Sequence, residues 1–149
     1  MPTLDRNKYA SASGTARGAY VLADPPEGKP DIILIATGSE LSLAADAHER
    51  LSLDGIRSRV VSMPSWDVFE HQTQEYRDAV LPAEVTARVA IEQASTFGWE
   101  RYVGRTGRVI GMHTFGASAP LKALQQEFGF TVDHIIATVK ALLQPSQAA

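Results

Sequence analysis

The sequence predicts a three-layer α/β/α domain, in which helices cover both faces of a mostly parallel sheet of about five strands. Short apolar runs alternate along the chain with segments whose apolar residues have helical spacing. Residues 32–36 are apolar throughout, which is typical of a strand buried on both faces. This run leads through a short glycine turn into a helical pattern, and such a strand–turn–helix unit is the building block of parallel sheets.

Each predicted strand is short, apolar and bounded by proline, glycine or polar residues. The predicted strands are residues 18–24, 32–36, 58–63, 88–92 and 108–112. Pro25, Pro26 and Gly28 separate the first two, because these residues suit neither a helix nor a strand ladder. Ligands of parallel sheets usually bind at the carboxyl ends of the strands, so we expect any site in the segments that follow them.

The predicted helices have apolar residues every three or four positions. The first begins at Gly38 or Ser39 and ends at Gly55, and the others are residues 66–70, 74–80, 97–102, 117–128 and 131–143. Ser65 and Thr131 are expected to cap their helices, because a hydroxyl oxygen at that position accepts a hydrogen bond from a first-turn amide. Gly55 ends the first helix, because glycine adopts the left-handed conformation at little cost.

Residues 18–143 are predicted to form one domain, since a chain of 149 residues has an ordinary single-domain size. Residues 1–17 have no apolar periodicity and are predicted to be an extended linker arm that becomes ordered only against a partner. Residues 144–149 are predicted to be a disordered tail. The first residues have neither the cationic nor the apolar region of a secretion signal.

Charge and composition exclude several functional classes. The net charge is −3 and no basic run is present, so we expect no nucleic-acid partner. No apolar run approaches the ~20 residues that span a bilayer, so we expect no membrane partner. The chain has no cysteine, which excludes disulfides and thiolate chemistry and favours a cytoplasmic location.

The turn after the second strand is a candidate anion site. Thr37, Gly38 and Ser39 lead into a helix N-terminus, where exposed amides and the helix dipole favour negative charge. The alternative is a structural turn in which a hydroxyl caps the helix and Glu40 compensates the dipole. Neither a phosphate-loop lysine nor a G-x-G-x-x-G pattern follows the turn.

His113 and Thr114 follow the last predicted strand and complete the candidate anion site. His113 is placed as a catalytic residue would be, with a structural hydrogen bond as the alternative. No two histidines have metal-ligand spacing, and His48 is expected to face solvent. Glu92 ends a strand, where it would act as a general acid or base, pair with an arginine such as Arg59, or cap the next helix.

Phe97, Trp99 and Tyr102 form a cluster of large aromatic residues. Such a cluster can stack a ligand, but it more often packs a core or a subunit interface. We expect these rings to lie at an interface and to form an exposed apolar patch. None of these residues assembles a known catalytic set, so residue chemistry alone leads only to an α/β domain.

Several stretches, in this order, resemble the C-terminal domain of transketolase. They are ILIATGSE at 33–40, RVVSMPS at 59–65, VLP at 80–82 with TARVAIE at 86–92, GMHTFGASAP at 111–120 and EFGFTVD at 127–133. Their order and spacing make the resemblance specific, and it extends from the arm to about residue 143. It implies a five-stranded mixed sheet in which residues 20–22 form an antiparallel edge strand.

Transketolases transfer a two-carbon ketol unit between sugar phosphates in the pentose phosphate pathway, using thiamine diphosphate and a divalent metal (Mg or Ca). The resemblance implies that the first two domains of a full subunit hold these cofactors and that the enzyme works as a homodimer. The metal-binding G-D-G run is absent here, so the resemblance implies no catalytic, cofactor-binding or metal-binding residue in this chain. Its implied partners are the other two domains and a second subunit.

Two hypotheses about function follow. The first is the C-terminal domain of a transketolase, inactive by itself, which supplies scaffold and dimer-interface surface. The second is an independent small-anion-binding or regulatory module of the same fold, with its site at Gly38, Ser39, His113 and Thr114. Related thiamine enzymes share the domain, but MPS at 63–65 and TFGAS at 114–118 favour transketolase proper.

Overall fold

The structure, a computed structural model, describes Tyr9 and residues 12–92, 98–111 and 131–144. Within these residues one sheet is formed by β1 (Tyr20–Ala23), β2 (Ile32–Ala36), β3 (Ser58–Ser62), β4 (Arg88–Glu92) and β5 (Arg108–Gly111). The order of the strands across the sheet is β1-β3-β2-β4-β5. The predicted five-stranded sheet is confirmed, and each strand lies within the bounds that the sequence predicts.

The sheet is mixed. β2 pairs in parallel with β3 and β4, and β4 pairs in parallel with β5. β1 runs antiparallel to β3 at the sheet edge, with Tyr20 opposite Ser62 and an irregular register between Val21 and Ala23. The antiparallel edge strand that the resemblance implies is therefore confirmed. The carboxyl ends of the four parallel strands share one edge of the sheet, and their amino ends share the opposite edge.

The described helices are α1 (Glu40–Leu53), α2 (Trp66–Glu70), α3 (Gln74–Val80), α4 (Glu100–Val103) and α5 (Val132–Leu143). α4 begins later than predicted, because Gly98 has a φ of +85°, which an α-helix cannot contain. The predicted helix at 117–128 and residues 145–149 of the predicted tail lie outside the described residues. In the described part of the chain, no helix is both long enough and apolar enough to cross a membrane.

Side-chain hydroxyls cap several helices. Ser65 Oγ accepts a hydrogen bond from the Val68 amide at 3.2 Å, at the start of α2. Thr131 Oγ1 accepts one from the His134 amide at 3.1 Å, at the start of α5. Both predicted caps are confirmed, and Thr73 caps α3 in the same way.

Helix α1 ends where the sequence predicts and starts one residue after the predicted Ser39. It begins directly after Ser39, and Gly55 follows its end with a φ of +77°, where a residue with a Cβ would be strained. The Gly55 amide donates to the Ser52 carbonyl at 3.1 Å. This hydrogen bond satisfies one of the carbonyls that a helix leaves unpaired at its end.

The two faces of the sheet carry separate apolar clusters. Side chains alternate along a strand, so Ile32, Leu34 and Ala36 of β2 lie on the face that α1 and α5 cover. Ile33 and Ile35 lie on the other face, with residues of α2, α3 and α4. All residues of β2 are 0% exposed, as burial on both faces requires. The predicted three-layer architecture is therefore confirmed.

Residues Ala12–Arg17 form a 3₁₀ helix, whereas the sequence predicts an extended arm. This segment contacts the domain, since Arg17 Cζ lies 4.9 Å from the centre of the Tyr76 ring. Directly after it, the Gly18 carbonyl accepts a hydrogen bond from the Ser65 amide at 3.0 Å. The sequence of this segment has no apolar periodicity, because contacts with distant residues order it rather than a local pattern. For this reason the sequence predicts an extended arm instead of a helical segment. The linker role of the arm stays a prediction.

Candidate functional site

The carboxyl edge of the sheet brings two acidic residues close together. Glu40 begins α1, directly after the turn that follows β2, and Glu92 ends β4. β2 and β4 are neighbours, with Ala36 opposite Ile91, so the segments after both strands lie at the same edge. This edge is where the sequence predicts a ligand site.

Glu40 is buried at this edge and is only 6% exposed. Burial raises the pKa of the Glu40 carboxyl above its usual value, and the charge of Glu92 raises it further. Hydrogen bonds from the Ser39 hydroxyl, at 3.0 Å, and from the backbone amide of Glu40 act in the opposite direction without cancelling the rise. Glu40 therefore takes up a proton at a higher pH than an exposed glutamate does.

The predicted anion site at Thr37, Gly38 and Ser39 lies beside this carboxyl group. The Ser39 hydroxyl donates to Glu40 Oε1 and makes no cap to α1. Glu40 Oε2 lies 3.8 Å from the position that a Cβ would take on Gly38. A carboxylate of the chain itself therefore lies at the positive end of the helix dipole, as in the structural alternative. A bound anion would have to displace it or tolerate its charge.

The second half of the predicted anion site, His113 and Thr114, lies outside the described residues, and the site stays a prediction. Two other histidines lie at the surface. His71 Nδ1 donates to the Asp67 carbonyl at 2.6 Å, and His134 is exposed in the first turn of α5.

His48 is buried, whereas the sequence predicts that it faces solvent. It is 8% exposed, and its Nδ1 lies 2.7 Å from Ser58 Oγ at the start of β3. The prediction is wrong because this position continues the buried stripe of α1 formed by Leu41, Ala44 and Leu51. The burial of His48 could be predicted from its position four residues after Ala44 and three before Leu51, because residues three and four apart share a helix face.

Trp99 and Tyr102 lie in the core of the described domain rather than at an exposed patch, and they are 2% and 3% exposed. The Trp99 ring packs edge-on against Trp66, with centroids 4.9 Å apart. The Tyr102 hydroxyl donates to Glu70 at 2.7 Å, and burial together with this hydrogen bond raises the pKa of Tyr102 to about 12. Both rings therefore pack in the core, which is the alternative that the sequence left open. Phe97 lies outside the described residues.

One expected partner of Glu92 binds elsewhere. Arg59 Nε donates to Asp24 Oδ1 at 2.6 Å, and its Nη1 donates to the carbonyls of Ala79 and Val80. The predicted pair of Arg59 and Glu92 is therefore wrong, because Arg59 lies near the amino end of β3 and Glu92 at the carboxyl end of β4. The other expected roles of Glu92 stay predictions.

Cavities lie at the amino edge of the parallel strands, which the sequence does not predict. One of about 270 Å³ lies beside His48, between the turn at 25–27, the end of α1 and the start of β3. Another of about 230 Å³ lies between the turns that precede β4 and β5 and is lined by Arg88 and Arg105. Each of these two cavities is formed by segments that are distant in the sequence. No local sequence pattern therefore predicts either cavity.

The fold and its motifs match a known protein family. A family model described as the transketolase-like TK C-terminal domain matches residues 18–131, which is most of this chain. The chain belongs to this family. The matched range contains all five strands and the acidic carboxyl edge, so the sheet and this edge are features of a transketolase-like C-terminal domain.

Transketolases from several organisms match nearly the whole chain. That of Halalkalibacterium halodurans is 52% identical over 144 residues, which are 97% of this chain and 22% of the relative. Transketolase 1 of Escherichia coli is 54% identical over 128 residues, which are 86% of this chain and 19% of the relative. The chain therefore spans about a fifth of the length of the curated relatives it matches.

A solved structure of transketolase from Leishmania mexicana has the same fold over this region. It superposes on the chain with a TM-score of 0.80 at 43% sequence identity. The superposition covers 89% of this chain and 19% of the transketolase. The transketolase-like architecture implied by the sequence motifs is thus confirmed in three dimensions.

Proposed function

We propose that this chain works as the C-terminal domain of a transketolase, which transfers a two-carbon ketol unit between sugar phosphates in the pentose phosphate pathway. One observation carries the proposal. The chain aligns over 97% of its length, at 52% identity, with a segment that is 22% of a transketolase. The reactive groups of the enzyme then lie in the other domains, and this chain is inactive by itself.

The described residues do not fit the cofactors of such an enzyme. A divalent metal (Mg or Ca) that anchors thiamine diphosphate needs oxygen ligands from the protein. In the part of the chain that the structure describes, no group of three histidine or acidic side chains is placed to hold a metal ion. The carboxyl groups of Glu40 and Glu92 lie near each other at the carboxyl edge, and any negative charge on them would repel a diphosphate. In this proposal, both cofactors are held by the other domains of the enzyme.

The role of this chain in the proposal is to supply scaffold and dimer-interface surface. Its sheet is covered on both faces by its own helices, so contacts to other domains and to a second subunit fall on outer helix faces and loops. Trp99 and Tyr102 are almost fully buried within the chain, so in this proposal other residues form that contact surface. A cytoplasmic location agrees with the absence of cysteine.

An exchange of domains tests the proposal. The matched segment of the Halalkalibacterium halodurans transketolase is replaced by this chain, and thiamine-dependent ketol transfer is measured. We expect the chimera to assemble and to transfer the ketol unit. The control is the same exchange with Leu34→Asp, which places a charge in the fully buried β2 and should prevent assembly. A chimera that folds and assembles but transfers no ketol unit contradicts the proposal.

The second hypothesis, an independent anion-binding module with its site at the carboxyl edge, is not favoured. The Glu40 carboxyl accepts the Ser39 hydroxyl and lies at the helix N-terminus that such a site would use. Calorimetric titration of the chain with sugar phosphates and nucleotides tests it. Binding that Ser39→Ala abolishes would favour this hypothesis over the scaffold role.

A further inference from the structure

The guanidinium of Arg88 has no carboxylate partner among the described residues. Its Nε and Nη1 donate to the carbonyls of Val85 and Tyr102, at 2.9 and 2.8 Å. Its Nη2 donates to the carbonyls of Leu81 and Pro82, at 3.3 and 2.8 Å. These four oxygens are uncharged groups. Burial lowers the pKa of Arg88, as expected for a half-buried cation that no neighbouring acid compensates.

Arg88 keeps one hydrogen-bond donor that these carbonyls do not use. A guanidinium carries five N–H groups, two of them on Nη1. Only one Nη1 hydrogen bond is formed, to the Tyr102 carbonyl. A half-buried cation is stabilised more by an oxyanion than by neutral carbonyls, and the planar fork of arginine matches a phosphate group. Arg88 thus has a charge and a donor available for a ligand.

Arg88 lines a cavity of about 230 Å³ at the amino edge of the sheet. One water molecule occupies about 30 Å³ of liquid, so the cavity is large enough for a phosphate group. The lining residues contain two arginines and no acid. They are Ala83, Thr86, Arg88, Val103, Gly104, Arg105 and Thr106.

Arg105 supplies the second positive charge. Its side chain is exposed and forms no hydrogen bond or ion pair with the described residues. The Thr86 hydroxyl has no partner among them either, and the Thr106 hydroxyl makes only a long contact of 3.4 Å to the Thr86 carbonyl. Glu84, in the turn before β4, lies 3.9 Å from Lys29 and lines a different cavity. The arginine cavity is therefore positive and has hydroxyl donors in reach.

We propose that this cavity binds a small phosphate-bearing anion, held by Arg88 and Arg105 and by the threonine hydroxyls. The site lies at the end of the parallel strands opposite to the candidate anion site at residues 37–39. It does not depend on the proposed function of the chain. The anion joins the turn before β4 to the turn before β5, so its binding stabilises these two turns against each other.

Inorganic phosphate is the first probe. The ¹⁵N-labelled chain is titrated with phosphate at constant ionic strength, with chloride as the balancing anion, and amide shifts are followed by NMR. We expect saturable shifts at Thr86 and at residues 104–106. Arg105→Ala should weaken the affinity about tenfold, the value of one charge-assisted hydrogen bond. Arg50→Ala, which removes the same charge from an exposed position on α1, should change it less than about twofold.

Thermal unfolding of the parent chain and of Arg105→Ala gives an independent readout. Arg88 itself is not substituted in this test, because Arg88→Gln would lose the carbonyl contacts and is expected to fold poorly. A ligand that binds only the folded chain raises Tm, so phosphate should raise Tm relative to chloride at equal ionic strength. This rise should disappear in Arg105→Ala and persist in Arg50→Ala.

A titration with a sugar phosphate such as ribose 5-phosphate shows whether the cavity recognises the phosphate group alone or also the molecule that carries it. Equal affinity for inorganic phosphate and the sugar phosphate assigns recognition to the phosphate group alone. Tighter binding of the sugar phosphate extends the site to the sugar. Shifts that do not saturate with either probe, or an unchanged affinity in Arg105→Ala, overturn the proposal.

Discussion

The Arg59 guanidinium lies 2.6 Å from the Asp24 carboxylate and joins the end of β1 to β3. The same guanidinium donates to the carbonyls of Ala79 and Val80 at the end of α3, at 2.8 and 3.1 Å. Its side chain is only 14% exposed. Arg59 therefore connects the antiparallel edge strand, the sheet and a covering helix through charge-assisted hydrogen bonds.

Arg59→Met should lower the free energy of unfolding by about 2 kcal/mol, because it leaves these acceptors without a charged donor. The matched control is Arg57→Met, since Arg57 pairs with Asp31 at 3.1 Å but its side chain is 50% exposed. We expect the control to lose less than about 1 kcal/mol, because solvent screens an exposed pair. Urea unfolding measures both, and equal losses would contradict this account of Arg59.

Glu40→Gln should make the stability of the chain less dependent on pH. Burial and the charge of Glu92 raise the pKa of Glu40 in the folded chain above its value in the unfolded chain. Its contribution to stability is then fully present below the unfolded pKa and is lost as pH rises through the folded pKa. The variant should therefore be at least as stable as the parent chain at neutral pH. A variant that is less stable at pH 7, measured by urea unfolding, would refute the account.

Asp31→Asn should show the opposite sign. Burial acts to raise the pKa of Asp31, but hydrogen bonds and charge from Arg57 outweigh it and lower the pKa. This carboxylate contributes stability above its unfolded pKa, and the contribution is lost as pH falls through the lower, folded pKa. The variant should lose stability at pH 7 and match the parent chain more closely in acid. A loss of stability that is constant from neutral pH into acid would argue against it.

Gly18→Ala should destabilise the contact between the 3₁₀ segment and the domain. Gly18 has a φ of +84°, and a Cβ there would overlap the backbone of Phe69 and the Ser65 carbonyl. We expect a loss of about 3 kcal/mol, from the left-handed backbone and the overlap together. Gly55→Ala is the control, because its φ is also positive but no atom lies within 4 Å of the added Cβ. Equal losses in the two variants, measured by thermal unfolding, would show that the overlap has no effect.

Tyr102→Phe should cost about 1 kcal/mol of unfolding free energy, because it removes the hydrogen bond to Glu70 from the core. The parent chain also offers a spectroscopic test. Its ultraviolet titration, compared with that of the variant, should show one phenol that ionises near pH 12, the pKa of Tyr102. An extra phenol that ionises near pH 10 would instead indicate that Tyr102 is solvated.

Much of the fold could be predicted because local patterns and tertiary structure agree. The unbroken apolar run of β2 predicts burial on both faces, and both faces are covered. Ser65 and Thr131 cap their helices by accepting hydrogen bonds from amides only three residues further along the chain. Such local contacts can be predicted from the sequence alone. Where the environment of a residue is set by near neighbours in the chain, the pattern is sufficient.

The site was less predictable, because it depends on contacts between distant segments. Arg59 pairs with Asp24, which is 35 positions away, and not with Glu92. The direction of the parallel strands places Arg59 and Glu92 at opposite edges of the sheet. His48 lies on the buried stripe of α1, but its partner at the start of β3 follows from tertiary packing. The arginine cavity between two turns has no motif at all, since its residues come from separate loops.

The most direct test of the account is an assay of the purified, folded chain for ketol transfer, with thiamine diphosphate and magnesium added. The reactive groups lie outside this chain in the account, so we predict no transfer above the reaction without protein and no rise in Tm from thiamine diphosphate. Thiamine-dependent transfer by this chain alone would contradict it.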